Sequence, residues 1–359
     1  MLRVAIVGCG KIADAHAAAI AMIPDSEIVG VCDSEELMAK QLYERFKIKG
    51  YFRDLKEMLK VSNPSVVHIT TPPQSHFEIA KACLNSGCHV YVEKPFTINA
   101  EEATQLLQLA EQKHLKLTVG TDEQFSHEAV RMRNLINKGY LGGPPLHMEV
   151  YYCYNLGDER YARSFLADKT HWLRHLPGQL IQNIISHGLA KIVEYLDGEE
   201  LQVIAHGFTS PFLRKLGEKD LIDELRVIIN DGNKCTAYFT FSTQLHPLLR
   251  EFRIYGPQNG LIVSQDHHAL IRVPGLSYKS FLNSLIPLNY YARQYRKSMF
   301  TNLSLFLKRD FHMKSGLKRL IKSFYRSISD DAPVPIAYKD ILVAARIMDA
   351  IIAQVYRGG

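Results

Sequence analysis

Short apolar runs alternate with amphipathic segments over the first third of the chain. The apolar runs cover residues 2–7, 28–32, 66–69, 90–92 and 115–119, and segments with helical spacing of apolar residues separate them. Strands that alternate with helices indicate βαβ units, and therefore a parallel sheet with helices on both faces. Residues 1–121 are predicted to form a doubly wound α/β domain.

The pattern changes after Asp122. A predicted helix at 126–138, a strand at 146–154 and a helix at 179–196 precede strands at 201–208, 223–229, 234–242, 250–255 and 260–264. Asp231-Gly232 is a two-residue hairpin signal between two of these strands. We predict that residues 122–359 form a substrate-binding and oligomerisation domain of α+β class on an open, mainly antiparallel sheet. The last helix, 338–357, is predicted to pack back on the first domain.

Composition limits the class of protein. The chain has 359 residues, 47% of them hydrophobic and 22% charged, which is typical of a soluble protein with two domains. No apolar run reaches the length of a membrane span, and Met1 leads directly into a strand, so we predict a cytoplasmic protein without a signal peptide. The six cysteines form no C-x-x-C pair, so buried thiols are predicted, with neither a disulfide framework nor a metal site.

The turn after the first strand has the features of a phosphate-binding loop. Gly8 permits a tight turn, Gly10 leaves room for a pyrophosphate, and Ala13 keeps the following helix close to the sheet. Asp33 ends the second strand, where an acid binds a ribose hydroxyl and repels a 2′-phosphate; NAD is therefore favoured over NADP. The first domain is thus predicted to be a Rossmann domain. Its predicted cofactor contacts are Gly8, Gly10, Lys11, Ile12, Ala13, Asp33, Thr71, Pro72, His76, Glu93 and Lys94.

Several motifs together resemble one enzyme family. Besides the glycine turn, they are Thr71-Pro72-Pro73 with His76, Glu93-Lys94-Pro95, and His187 in a helix before an antiparallel sheet. Over nearly its whole length the chain resembles the Gfo/Idh/MocA (glucose–fructose oxidoreductase and inositol dehydrogenase) family. The resemblance implies NAD(P)-dependent oxidation or reduction of a secondary alcohol on a sugar, cyclitol or related polyol. It also implies that Lys94 is an active-site lysine and that the peptide before Pro95 is cis.

The helix around His187 departs from the family pattern Asp-x-Gly-x-His-x-x-Asp. Asn183 replaces the first acid, Ile185 the glycine and Ala190 the second acid. Asn183 and His187 are four residues apart and share one helical face. The predicted catalytic residues are therefore Lys94, His187 and Asn183, with His187 as acid–base, Lys94 facing the developing oxyanion and Asn183 orienting a hydroxyl. The alternative is that His187 is a buried structural histidine.

A loop rich in aromatic and basic residues follows the first strand of the second domain. Such side chains stack on sugar rings or bases and pair with phosphate, which favours a nucleotide-linked or phosphorylated sugar. Alternatively, part of this loop packs under the sheet. Two other functions also remain open: a non-catalytic NAD-binding regulator, and an enzyme that uses NAD transiently for elimination, hydrolysis or epimerisation. The predicted substrate residues are Tyr154, Arg163, His171, Trp172 and Arg174.

Residues 276–326 are strongly basic. They contain 11 Lys and Arg against the single acid Asp310, interleaved with aromatic and aliphatic residues. One reading is a cationic amphipathic segment that lies on an anionic membrane surface, which places the protein at the inner face of a membrane. The other is a helical excursion that packs on the sheet or on a partner subunit. Nucleic-acid binding is disfavoured because no known module accompanies the charge, and the open sheet favours a homodimer or homotetramer.

Overall fold

The chain folds into two compact units. The computed structural model describes residues 1–155, 171–197, 201–232, 235–279, 281–311 and 315–356. The first unit comprises Met1–Glu123 and Gly316–Asp349, and the second comprises Gln124–Ser315 and Ala350–Gly359. The sequence placed 122–359 in the second domain, with helix 338–357 packing back on the first, so residues 316–337 are the part that differs from that assignment.

A parallel sheet forms the centre of the first unit. Its described strands follow the order β3-β2-β1-β4-β5-β6, and each neighbouring pair is parallel. The predicted doubly wound domain is confirmed. The elements are β1 Leu2–Val7, α1 Lys11–Ala21, β2 Ser26–Cys32, α2 Glu36–Phe46, β3 Tyr51–Phe52, α3 Leu55–Ser62, β4 Val66–Ile69, α4 His76–Asn85, β5 His89–Val92, α5 Ala100–Gln112 and β6 Leu117–Val119.

The two central strands are apolar along nearly their whole length because helices cover both faces of a parallel sheet. Val4 to Ile6 of β1 and Val66, Val67 and Ile69 of β4 are fully buried. Side chains cap two of the helices: Asp54 accepts a hydrogen bond from the Glu57 amide, and Asn99 accepts one from the Glu102 amide. The rigid sheet fixes the loops that leave its carboxyl edge.

A mixed sheet forms the centre of the second unit. Its described strands follow the order β13-β12-β11-β7-β10-β9-β8; β7 and β10 are parallel, and the other neighbours are antiparallel. This confirms the predicted, mainly antiparallel sheet. The elements are α6 His127–Asn137, β7 His147–Asn155, α7 Gln179–Val193, β8 Gln202–Phe208, α8 Pro211–Lys215, β9 Glu224–Asn230, β10 Thr236–Ser242, β11 Gln244–Tyr255, β12 Asn259–Ser264, β13 Ala269–Pro274 and α9 Leu282–Leu307.

Two strands of this sheet differ from the prediction. β11 begins at Gln244 and not at residue 250, and its register against β7 shifts between Gln244 and Leu249. Pro247 lies inside that irregular part and interrupts the strand pattern of the sequence. β13 was not predicted, although Ala269, Leu270 and Ile271 are buried in it.

The C-terminal part contributes two helices, α10 Ser315–Ser329 and α11 Tyr338–Tyr356. The apolar face of α10, formed by Leu317, Leu320, Ile321 and Phe324, is buried. The first part of α11 is tied to the same unit, because the Asp349 carboxylate accepts a hydrogen bond from the Ala100 amide at 2.8 Å. Residues 338–349 thus lie in the first unit, and the remaining turns of α11 are counted with the second.

Candidate active site

The glycine turn has the geometry that a bound phosphate needs. Gly8 has a φ of +92°, and a Cβ there would lie 2.6 Å from the Thr71 amide nitrogen, so only glycine fits. A Cβ at Gly10 would have nothing within 4 Å, so the turn is open on that side. Gly10 is also the N-cap of α1, whose first amides favour an anion.

A cavity of about 450 Å³ opens beside this turn at the carboxyl edge of the sheet. Five of the predicted cofactor residues line it: Gly8, Gly10, Asp33, Thr71 and Pro72. Arg53 also lines it, and the sequence analysis did not identify this residue. Lys11, Ile12, Ala13, His76, Glu93 and Lys94 are not among the lining residues.

Asp33 is held in place by the backbone. One carboxylate oxygen accepts a hydrogen bond from the Cys9 amide at 2.7 Å, and the other accepts one from the Glu35 amide at 3.0 Å. Its negative charge therefore stays at the end of β2, inside the cavity. Arg53 lies in the same cavity, and its guanidinium is 4.0 Å from Glu36.

We expect Asp33→Asn to weaken the preference for NAD over NADP by at least about tenfold. Loss of one carboxylate removes both the ribose acceptor and the repulsion of a 2′-phosphate, and Arg53 is then free to attract that phosphate. The measurement is the ratio of the two dissociation constants, obtained by titration calorimetry. Arg53→Gln in the Asp33→Asn background is the control and should lower NADP affinity again; an unchanged ratio in Asp33→Asn would remove Asp33 from cofactor selection.

His76 is buried between two loops of the first unit. It is fully buried, and its ring nitrogens lie 3.0 Å from the Pro95 carbonyl oxygen and 2.9 Å from that of Thr71. Burial lowers the pKa of His76, and hydrogen bonds to backbone carbonyls oppose that shift. His76 therefore joins the loop after β4 to the loop after β5.

Lys94 lies in the loop after β5, and the Lys94–Pro95 peptide is cis, as the family resemblance implied. The lysine is half-buried, and this burial lowers its pKa, while the carboxylates of Glu93, Asp122 and Glu123 oppose the shift. Burial and the charges of Glu93 and Glu123 raise the pKa of Asp122 to about 7, against the opposing charge of Lys94. Asp122 was not identified from the sequence.

A buried chain of hydrogen bonds leads away from Glu93. Its carboxylate lies 2.9 Å from the Nε2 atom of His16. The two Nδ1 atoms of His16 and His68 are 2.9 Å apart, and His68 Nε2 lies 2.9 Å from the hydroxyl of Tyr325 on α10. His16, His68 and Tyr325 are all buried. The chain thus joins the motif that contains Lys94 to a helix more than 200 residues away in sequence.

The charge states along this chain follow from burial and from neighbouring charges. Burial would raise the pKa of Glu93, but the hydrogen bond and charge of His16 outweigh it and lower that pKa, so Glu93 is an ionised acceptor. Burial and the charge of His16 hold the pKa of His68 well below its usual value, so His68 is neutral. His16 Nε2 donates to the Glu93 carboxylate, and neutral His68 links the Nδ1 atom of His16 to the hydroxyl of Tyr325. Burial also raises the pKa of Tyr325, so its hydroxyl stays protonated and the chain holds Glu93 in place.

We expect Tyr325→Phe to lower the free energy of unfolding by about 1–3 kcal/mol, because it leaves the buried Nε2 atom of His68 without its hydrogen-bond partner. Tyr91→Phe is the matched control. Tyr91 is also fully buried and stacks on His68 at 4.7 Å, but its hydroxyl has no hydrogen-bond partner among the described residues. Urea unfolding followed by circular dichroism should find little change for Tyr91→Phe; equal losses for the two variants would contradict the assigned chain.

In the second unit, α7 presents one polar face. Asn183, His187 and Lys191 are spaced four residues apart on this helix, which packs on β7 and β10. The His187 ring stacks on Tyr152 of β7, with centroids 5.8 Å apart and planes 15° apart. The Lys191 ammonium lies 5.3 Å from the same tyrosine ring and donates to Gln265 Oε1 at 2.6 Å. Sequence reasoning missed Lys191, although this residue continues the four-residue spacing.

Tight packing fixes the position of α7. A Cβ at Gly188, the residue after His187, would overlap the Phe239 ring of β10, so the helix lies directly on the sheet at this point. Ile185 and Ala190, which stand where the family has a glycine and an acid, are buried. His187 and Asn183 are only partly buried, so both remain accessible for chemistry.

The predicted substrate residues that the structure describes divide into three groups. Arg174 makes a two-pronged ion pair with Glu218 at 2.7 and 3.1 Å, so its charge is already matched. Trp172 and Tyr154 pack against a buried cluster that includes Leu173, Leu180, Leu213 and Leu221, which agrees with the alternative of a loop packed under the sheet. His171 caps the short helix Trp172–His175. Arg163 lies outside the described residues.

Comparison with known proteins gives three findings about the sequence. Residues 2–121 match the family model described as "Oxidoreductase family, NAD-binding Rossmann fold". The D-glucoside 3-dehydrogenase of Escherichia coli is 33% identical over 142 residues, which is 39% of this chain and 40% of that protein. The UDP-N-acetylglucosamine 3-dehydrogenase of Acidithiobacillus ferrooxidans is 31% identical over 148 residues, which is 41% of this chain and 44% of that protein. The matches thus span about two fifths of the length of these curated relatives.

Solved structures resemble the fold over nearly the whole chain. The structure of the same Acidithiobacillus ferrooxidans enzyme has a TM-score of 0.75 at 20% identity and covers 99% of this chain and 98% of its own. The WlbA dehydrogenase of Bordetella pertussis, solved with NADH and UDP-GlcNAcA, has a TM-score of 0.78 at 16% identity and covers 100% of this chain and 96% of its own. At such identities the likeness concerns the fold alone.

Proposed function

Because residues 2–121 belong to an oxidoreductase family with an NAD-binding Rossmann fold, we propose that this chain is a dehydrogenase that moves a hydride between NAD and a secondary alcohol or ketone of a sugar. The observation that carries the proposal is the set of groups at the carboxyl edge of one sheet: the open turn at Gly10, the fixed Asp33 and the half-buried Lys94. These are the groups that such a reaction needs on the cofactor side.

The match of residues 2–121 to the family model confirms the resemblance drawn from the motifs for the first domain, and it confirms NAD as the cofactor. The residues present fit NAD, because the Gly8 to Gly10 turn, for the pyrophosphate, and Asp33, for the ribose, lie at the same cavity of about 450 Å³. Bound NAD supplies the hydride acceptor. The protein holds the dinucleotide at these residues and provides the proton and charge chemistry around the substrate carbon.

The proposed catalytic roles follow from residue chemistry. His187 accepts the hydroxyl proton when the alcohol is oxidised and returns it when the ketone is reduced. Lys94 stabilises the negative charge that develops on the substrate oxygen. Asn183, one turn before His187, orients a substrate hydroxyl but cannot carry its proton. The buried chain from Tyr325 to Glu93 supports these roles, since it keeps an ionised carboxylate next to Lys94 in the sequence.

For the substrate we propose a nucleotide-linked or phosphorylated sugar of glycan or polysaccharide biosynthesis. The support is that one relative acts on UDP-N-acetylglucosamine and one similar fold was solved with a UDP-sugar acid. The ion pair with Glu218 makes Arg174 a poor phosphate ligand, so the proposal depends on Arg163 and on His171. We place the reaction in the cytoplasm, where the six free, buried cysteines remain reduced.

We further propose that the protein assembles as a homodimer or homotetramer. One face of the mixed sheet carries an exposed apolar row, in which Ile204, Ile228 and Tyr238 are paired across three neighbouring strands. They are 64%, 39% and 43% exposed, respectively. Exposed apolar rows of this kind mark interaction surfaces, and analytical ultracentrifugation of the purified chain tests the assembly.

The function is tested by absorbance at 340 nm after NAD is added with UDP-sugars, sugar phosphates, free glucosides and inositols. We expect NADH to form with one class, and the nucleotide sugars first. If NADH forms with a free glucoside alone, the proposed substrate is wrong, but the proposed dehydrogenase activity stands. Bound NAD that never changes with any compound would favour the alternatives, a regulatory NAD-binding protein or an enzyme that uses NAD transiently.

A further inference from the structure

The helix α9 packs on the sheet with one side and leaves the other side open. Gln294 exchanges two hydrogen bonds with the backbone of Arg272 on β13, at 2.8 and 2.9 Å. Asn302 donates to the His267 carbonyl oxygen at 2.9 Å, and Ser298 between them is buried. These residues are four apart, so a single face of the helix is attached to the protein.

Beside this attached face, α9 carries a second face that is apolar and exposed. Its large apolar side chains are three, four or seven residues apart, at Leu285, Leu288, Tyr295, Met299, Leu303 and Phe306. Each is between 52% and 66% exposed. An exposed apolar stripe of this length on a folded protein indicates a surface that is covered in use.

The charge around this stripe has only one sign. From Leu276 to Arg309 the sequence has six Lys or Arg and no Asp or Glu. Arg293, Arg296 and Lys297 are exposed in the middle of α9, and Lys308 and Arg309 are exposed at its end. Beside the helix lies a cavity of about 200 Å³ that is lined by Lys297 together with Arg131 and Arg272. The described residues that line it include no carboxylate.

The apolar stripe and the surrounding cations together identify, by chemistry, the partner that covers this face of α9. A second copy of the chain would cover the apolar stripe, but it would bring the same cations against these cations. A nucleic acid would match the charge and leave the apolar stripe in water. The surface of an anionic bilayer satisfies both features, because its acyl region takes the apolar side chains and its headgroups pair with the cations.

We propose that the open face of α9 docks the protein onto an anionic lipid bilayer. The helix lies in the plane of the surface and does not cross it: no helix in the described ranges is long and apolar enough to span a membrane. This inference is independent of the proposed dehydrogenase activity, since docking requires only the α9 surface.

The test is partition of the full chain onto vesicles, measured by co-sedimentation. Vesicles of phosphatidylcholine alone are compared with vesicles that also contain phosphatidylglycerol. We expect binding to the anionic vesicles at least about tenfold stronger than to the neutral ones, and weaker binding as salt is raised. The assay needs no turnover, so an inactive protein that binds vesicles would leave the inference standing.

Two pairs of variants locate the effect. Met299→Glu with Leu303→Glu should lower the partition at least about tenfold, whereas Leu37→Glu with Val61→Glu makes the same change at two side chains of the first unit that are each 65% exposed. Replacing Arg293, Arg296 and Lys297 by Gln should have a similar effect. Replacing the exposed Lys40, Lys56 and Lys60 by Gln is its control.

Three results would overturn the inference. One is equal partition onto neutral and anionic vesicles, and another is loss of binding in the controls to the same extent as in the α9 variants. The third is a Met299→Glu, Leu303→Glu protein that keeps its vesicle binding but falls to a smaller oligomer in analytical ultracentrifugation. That last result would assign the face to a second copy of the chain.

Discussion

Lys94→Met is expected to lower kcat by about 10²- to 10³-fold, the usual effect of removing a group that stabilises a developing oxyanion. Methionine keeps the apolar stem and removes only the charge. NAD affinity should change little, because the lining of the dinucleotide cavity does not include Lys94. Steady-state kinetics with the best substrate of the panel, together with NAD titration, gives both values.

A pH profile separates a catalytic role of Lys94 from a structural one. Lys94 lowers the pKa of Asp122, which is about 7, so Lys94→Met should raise that pKa and move any limb of the profile that Asp122 produces to higher pH. Lys60→Met, at an exposed position of α3, is the matched control and should leave turnover and profile unchanged. A Lys94→Met enzyme with full turnover would contradict the assigned role.

His187→Asn is expected to lower turnover by about 10²- to 10⁴-fold, the contribution of general acid–base catalysis, and to leave NAD binding intact. Asparagine retains a polar group on α7 but cannot take up a proton near neutral pH. In the oxidising direction the base must be unprotonated, so acid should lower the wild-type rate through His187, and this loss should be absent from the variant.

The control for His187→Asn is His206→Asn, at an exposed histidine on β8. It should retain turnover and profile. If His187→Asn retains turnover but lowers the midpoint of urea unfolding, the histidine is structural. Its stacking on Tyr152 would then explain the loss of stability. Asn183→Ala should lower turnover less than His187→Asn does, because it removes a group that orients the substrate and not the group that transfers the proton.

The sequence predicted those parts of the fold that depend on local pattern. β1, the Gly8 turn and α1 follow from an apolar run, two glycines and a helix start, and these occupy consecutive residues. Asp33 was placed correctly because the carboxyl ends of neighbouring parallel strands share one edge of the sheet. Arg53 was missed because nothing in the sequence shows that the residue after the two-residue strand β3 reaches this cavity.

What the sequence did not predict depends on tertiary contacts. Tyr325 meets His68 across 257 positions, so α10 was read as part of the basic segment of the second domain and not as a member of the first unit. The pairing of Arg174 with Glu218 likewise joins residues 44 positions apart, and it changes a predicted phosphate ligand into a structural ion pair. The motif likewise gives the position of His76 but not its hydrogen-bond partners.

Hydride transfer itself is tested most directly by isotope labelling. The purified protein is incubated with unlabelled NAD and a UDP-sugar that carries deuterium on its ring carbons, and the nicotinamide product is analysed by mass spectrometry. We expect the wild type to form NADH that is one mass unit heavier, and Lys94→Met and His187→Asn to form it at a rate at least about a hundredfold lower. Unlabelled NADH, or no NADH with any sugar of the panel, would contradict the claim that this chain moves a hydride between a sugar carbon and NAD.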